Sequence, residues 1–193
     1  MSNVQSGTYQ VGLPVQQLGT TFGRNWVSVD VHLPSSNANN MRDFRFINTN
    51  VEGFNSVRIH QGKELLEVVA NSSTELPIVL VGDFSEGSDE KGDFFDMMKN
   101  DGGFIDAWEE MADDNETGGY TAWHNTLLDD PTDVLEEGRL DHIMVRGAGD
   151  GTRTPKIKSV MFVDTPLDPS PDTRPYFPSD HAGVVAEIHI YKN

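Results

Sequence analysis

The stretch Leu76–Ser85, Leu-Pro-Ile-Val-Leu-Val-Gly-Asp-Phe-Ser, constrains this chain more than any other. Ile78 to Val81 run together without alternation, after a proline and before a glycine. A run that short suits a strand buried on both faces, although periodicity alone also admits a buried helical segment. Pro77 at the entry and Gly82 at the exit favour the strand. Asp83 then stands where the chain leaves the sheet. A carboxylate there is costly unless it is solvated, paired or bound to a metal. Strand ends are also where open α/β sheets place their ligands. Taken alone, the stretch favours a loop aspartate that ends a strand.

Two later segments repeat the design. Leu140-Asp141-His142-Ile143-Met144-Val145 opens an apolar run with an aspartate, and Ser179-Asp180-His181-Ala182-Gly183-Val184-Val185 opens another with Asp-His. If these strands are neighbours, Asp83, Asp141, Asp180 and His181 converge. Three carboxylates and an imidazole suit a hard divalent cation and a water to be activated.

With Asn48-Thr49-Asn50-Val51-Glu52 and Arg139 before Leu140, four motifs stand in order between Trp26 and the C-terminus. Together they resemble the C-terminal part of the endonuclease/exonuclease/phosphatase superfamily, the metal-dependent phosphoesterases. That superfamily usually shows Asn-Thr-His-Leu-Glu, Gly-Asp-Phe-Asn, an Arg-Ile-Asp-Tyr-like motif and Ser-Asp-His. Asn50 replaces its histidine and Ser85 its asparagine. The resemblance implies an α+β fold, the C-terminal half of a two-sheet α/β sandwich. Its sheet would be mixed and mainly antiparallel, with two helices on one face.

The resemblance also implies roles. Asp83 would orient an attacking water, His181 would contact the phosphate and move a proton, and Asp141 would orient the His181 ring. Asp83 and Asp180 would hold Mg²⁺ or Mn²⁺, and Asn48, Asn50 and Ser85 would bind substrate. An aspartate suits a histidine because it selects the tautomer and stabilises the imidazolium. Ser85 keeps a hydrogen-bonding group with a shorter reach. Asn50 keeps a donor but cannot shuttle a proton at neutral pH, and losing a general acid typically costs about 10²–10⁴ in rate.

Residues 1–25 read as a short leader and 26–193 as the domain. The superfamily's upstream half normally carries an asparagine and a metal-binding glutamate, yet residues 1–24 contain no acidic residue. The expectation is a phosphoesterase impaired in isolation, binding its cation weakly. An apolar sheet face would be left for an upstream half or a partner chain to cover. The alternatives are a degenerate, non-catalytic binding or interaction module, and a gene fragment whose upstream half is encoded elsewhere.

Composition narrows the partners. The 193 residues fit one domain. With 31 acidic residues against 14 lysines and arginines, the net charge is −17. That is the wrong sign for tight, undirected binding to nucleic acid. The absence of cysteine excludes disulfides, thiolate metal sites and thiol catalysis. No stretch is long enough to span a membrane. No signal-peptide pattern opens the sequence, which as written reads as cytoplasmic.

One short strand is expected near Tyr9–Val15. Trp26–Leu33 alternates, with Val27, Val29, Val31 and Leu33 on the apolar face and Ser28, Asp30 and a solvated His32 on the other. Asp43–Thr49 returns as its partner after a turn at Pro34–Asn40. Ser56–Ala70 reads as a helix capped by Ser56, with Arg58 and Gln61 on its solvated face rather than facing a site. Gly92–Asn100 reads as a second helix, ended by Gly102 and Gly103. The loop around His124 either packs down or contacts an anion. Lys156–Val163 and Ala182–Tyr191 complete the strands, and the proline-rich Asp164–Pro178 presents Ser179-Asp180-His181.

Overall fold

The structure, a computed structural model, describes residues 1–15, 19–34, 43–71, 76–85, 93–111, 119–122, 124, 128–130, 135, 138–149, 153–164, 166 and 176–192. In chain order the elements are β1 (Ser2–Thr8), β2 (Leu13–Val15), β3 (Thr20–Phe22), β4 (Asn25–Val31), β5 (Phe44–Asn50) and α1 (Asn55–Asn71). There follow β6 (Ile78–Asp83), α2 (Asp93–Asn100), β7 (Ile105–Asp106), α3 (Ala107–Met111), β8 (Asp141–Arg146), β9 (Arg153–Val163) and β10 (Gly183–Lys192). Most of the Pro34–Asn40 turn and of the Asp164–Pro178 loop lies outside the described residues.

The main sheet has six strands in the order β1-β4-β5-β6-β8-β7. Only β5 and β6 are parallel; the other pairs are antiparallel. Parallel neighbours need a crossover, and α1 supplies it. The expected mixed, mainly antiparallel sheet is therefore present. The central run is a strand for a physical reason: Ile78 and Leu80 are fully buried on one face and Val79 on the other. On the first face, Leu65 of α1 and Phe94, Phe95, Met97 and Met98 of α2 pack with Ile47, Ile78, Leu80 and Met144. On the second, Ile157, Ala186 and Ile188 pack with Phe44, Phe46, Val79, Val81, Ile143 and Val145. Those three residues belong to an antiparallel hairpin of β9 and β10. The face expected to lack a covering sheet thus carries this hairpin.

Several local expectations are corrected. Residues 1–25 contain three strands rather than one: β1 joins the main sheet beside β4, and β2 pairs with β3. Tyr9 sits in the helix-side core, its hydroxyl 2.6 Å from Thr49 Oγ1. In β4 the alternation is read the wrong way round, since Ser28 is buried while Val27 is 40% exposed. Polar groups tolerate the inner face because Asp30 is held there by Arg45, at 2.8 Å from Nε and 3.2 Å from Nη2. Arg58 and Gln61 are likewise buried rather than solvated. Gln61 Oε1 accepts Glu52 N–H at 2.8 Å, and its Nε2 donates to Val11 O at 2.8 Å. Helix α2 ends as expected: Gly103 takes φ +65°, while Gly102 N–H and Phe104 N–H close on Met97 O and Met98 O.

Candidate active site

Register places the candidate residues. The parallel β5–β6 ladder sets Asn50 beside Asp83, and the antiparallel β6–β8 ladder sets Asp141 beside Asp83 on the other side. Alternation along each strand puts all three on the hairpin side, the face that carries Phe46, Val81 and Ile143. Asn50 Nδ2 donates to Asp83 Oδ2 at 3.2 Å. Asp141 Oδ2 lies 2.7 Å from His181 Nδ1, just before β10. Asn50, Asp83, Asp141 and His181 therefore form a row across one end of the sheet. All four side chains remain partly accessible.

Gly82 makes this possible. Its φ is +147°, and a Cβ there would lie 1.8 Å from Thr49 O, so β5 backbone occupies the space of a side chain. Beyond it, Asp83 is held from within its own loop. Its Oδ1 accepts Ser85 N–H at 2.7 Å and Ser85 Oγ–H at 3.2 Å. Ser85 Oγ also lies 3.0 Å from Val51 O, so the hydroxyl expected at substrate is engaged inside the loop. Ser85 takes φ +49°, a left-handed conformation that asparagine adopts more readily. Arg58 donates to both Gly53 O and Ser85 O, tying the loop after β5 to the loop after β6.

The His181 side is clamped by a residue that sequence reasoning missed. Thr121, fully buried, accepts N–H from Leu140 at 2.9 Å and from Asp141 at 3.0 Å through Oγ1. Its carbonyl accepts Ala182 N–H at 2.9 Å, and the next residue, Ala122, bridges to His181. One short segment thus fixes both backbones of the Asp141–His181 pair. No local pattern marks Thr121; only its cross-chain partners do. Asp180 is exposed, and its carbonyl accepts His124 N–H at 2.9 Å. Asn48, also exposed, lies on the same face of β5 as Asn50, one pleat back. His124 packs down: its ring stacks on Phe177 at 3.6 Å and Nε2 lies 2.7 Å from Asp164 Oδ1.

Behind the row, on the helix side, lies a buried charged group. Asp106 Oδ1 accepts from Arg139 Nη1 at 2.5 Å, and Oδ2 lies 3.0 Å from His142 Nδ1. All three residues are at most 2% exposed. Burial pushes the Asp106 carboxyl up, but the His142 hydrogen bond and the charges of His142 and Arg139 outweigh it and hold it below the usual carboxylate range. The His142 ring stacks on Phe84 at 5.1 Å, between Asp83 and Ser85, so the group supports the site from beneath.

Among the described residues, no group of three or more His, Asp or Glu side chains is arranged to hold a metal ion. The oxygen donors at the row are the Asp83 carboxylate, the Asp141 carboxylate that faces His181, and Asn50 Oδ1, a buried oxygen with no hydrogen-bond partner among the described residues. With Asp141 engaged by His181, this set suits a weakly held hard cation rather than a closed metal centre.

Neither a family model nor a curated protein matches the sequence. Solved structures do. An endonuclease/exonuclease/phosphatase family protein from Bacteroides thetaiotaomicron aligns with TM-score 0.63 and 17% identity, over 98% of this chain and 65% of that one. The mannosyl-6-phosphatase of the same organism aligns with TM-score 0.61 and 18% identity, over 96% of this chain and 66% of that one. D. rerio TDP2, complexed with a single-strand DNA product, aligns with TM-score 0.57 and 16% identity, over 96% and 68%. The fold is that of the endonuclease/exonuclease/phosphatase proteins, and the chain spans about two thirds of the length of these relatives. No helix among the described residues is long and apolar enough to cross a membrane.

Proposed function

We propose that this chain carries part of a phosphoesterase site, hydrolysing a phosphate monoester or diester. The observation that carries the reading is the Asp141–His181 pair standing beside Asp83 at one end of the sheet. With Nδ1 2.7 Å from Asp141 Oδ2, His181 would contact a phosphoryl oxygen and move a proton through its other ring nitrogen. Asp83, held by Asn50 and the Ser85 backbone, orients the attacking water. Asn48 and Asn50 line the approach as substrate contacts. Asp83 and Asp180, with Asn50 Oδ1 as a further oxygen donor, would hold Mg²⁺ or Mn²⁺ weakly, and that ion would offset the charge of the phosphoryl oxygens.

Turnover by this chain alone is low, because Asn50 cannot act as a general acid and Ser85 Oγ is engaged by Val51 O and Asp83. An upstream half or a partner chain raises it by supplying a further carboxylate. The test is hydrolysis of bis(p-nitrophenyl) phosphate with Mg²⁺, by the chain and by His181→Ala. Slow turnover that His181→Ala abolishes supports the reading. Equal turnover in both points to a contaminant. A second reading, a non-catalytic binding module, draws on Asn50 and Ser85 standing where the resembled superfamily has a histidine and an asparagine; no turnover in either protein, with or without a separately expressed upstream half, selects it.

A further inference from the structure

At the opposite end of the main sheet lies another cluster of reactive side chains. Strand β4 ends at Val31, which pairs with Phe44 at the start of β5, so His32 and Asp43 adjoin across the sheet edge. Ser2 opens β1 and pairs with Asp30. His32 Nε2 lies 2.6 Å from Ser2 Oγ, and His32 Nδ1 lies 2.9 Å from Asp43 Oδ2. His32, expected to be merely solvated, thus bridges a hydroxyl and a carboxylate through its two ring nitrogens. This is the order a nucleophile, its base and the group orienting that base require. The Asp43 side chain is only 11% exposed, whereas that of His32 is 47% exposed and open to approach from solvent.

The backbone around Ser2 is held from beneath. Pairing with β4 shifts register between Ser2 and Gln5, and Asn3 takes φ +49°. Asn3 Nδ2 donates to Asp30 Oδ2 at 3.1 Å, and Gln5 Nε2 donates to Asn3 Oδ1 at 2.9 Å. Asp30 is gripped in turn by the buried Arg45 guanidinium. These bonds tie Asn3, the left-handed residue next to Ser2, to β4. The six-residue rise from Phe44 to Asn50 separates this cluster from the Asn50–Asp83 row by about 20 Å.

We infer that Ser2, His32 and Asp43 form a second, nucleophilic site that hydrolyses activated carboxylic esters. Ser2 Oγ bonds to the acyl carbon while its proton passes to His32 Nε2. The ester C–O bond then breaks, and the leaving alkoxide takes that proton, giving an acyl-serine and an alcohol. Water attacks the acyl carbon, His32 takes its proton, and Ser2 recovers a proton as the carboxylic acid departs. Asp43 is the positioning residue, holding the ring so that Nε2 faces the hydroxyl.

The experiment treats the folded chain with diisopropyl fluorophosphate and locates the label by peptide mass mapping, with time courses at several probe concentrations. The expected label is on Ser2 in the folded chain and absent from the chain unfolded in urea. His32→Ala slows it at least about 10²-fold. Asp43→Asn lowers the limiting rate and leaves the half-saturating probe concentration unchanged. His32→Gln, which keeps a polar side chain against β1, serves if His32→Ala loosens the strand. Hydrolysis of p-nitrophenyl acetate falls in parallel in the same variants. No label on Ser2, or labelling at equal rates in the folded chain and both His32 variants, overturns the proposal.

Discussion

Asp141 Oδ2 and His181 Nδ1 lie 2.7 Å apart, joining the start of β8 to the residue that leads into β10. The contact spans 40 residues of sequence and links the main sheet to the hairpin that covers it.

Asp141→Asn keeps the shape of that contact but removes its charge. If the pair works as proposed, turnover of a phosphodiester falls by about 10²-fold, and His181→Ala adds little on top of it. Steady-state kinetics of the two single variants and the double variant check this. Fully additive losses show that the residues act separately.

Gly82→Ala puts a Cβ where Thr49 O already stands, 1.8 Å away, at a φ of +147°. The three nearest atoms are all Thr49 backbone, so no flexible side chain is there to yield. The expected loss exceeds about 4 kcal/mol, the range of severe strain, and is read as the shift of the urea midpoint. A variant within ordinary surface-mutation range of the parent contradicts the close approach of β5.

Ser85→Asn exchanges a residue at φ +49° for one that adopts that region more easily. The left-handed region costs an ordinary L-residue about 1–2 kcal/mol, and part of that is recovered. The urea midpoint therefore rises. A fall would mean that the Ser85 Oγ bonds to Asp83 and Val51 outweigh the strain.

Acid acts through Asp106. Its carboxyl is held below its ordinary range in the folded chain, so the unfolded chain binds a proton first as pH falls. The stabilisation is present above the unfolded value, near pH 4, and is lost as pH falls through the lower folded value. Urea denaturation across this acid range shows the decline. Asp106→Asn leaves Arg139 buried without its carboxylate, lowers stability near neutral pH by about 3–5 kcal/mol and flattens the acid decline.

If Asp83 and Asp180 are the ligands, as proposed, Mg²⁺ and Mn²⁺ bind this chain more weakly than micromolar, because two carboxylates supply few oxygens. Calorimetric titration measures it. Micromolar or tighter binding by the chain alone identifies a further ligand, and Asp83→Asn then shows whether the site is this one.

What the linear order of residues determines is local. The apolar run Ile78–Val81 between Pro77 and Gly82, the helices α1 and α2, the glycine stop at Gly103 and the strand margins holding Asp83 and Asp141 are all legible because each depends on neighbours a few positions away. The faces of β4 are not, because alternation marks two faces without saying which one is inside. Arg45, from another strand, decides that by taking Asp30 inward. Thr121 and the Ser2–His32–Asp43 cluster are invisible for the same reason, their partners lying 11 to 61 residues away. Residue order places carboxylates and imidazoles at strand ends. Only cross-strand register, set by packing on both faces of the sheet, decides which of them meet.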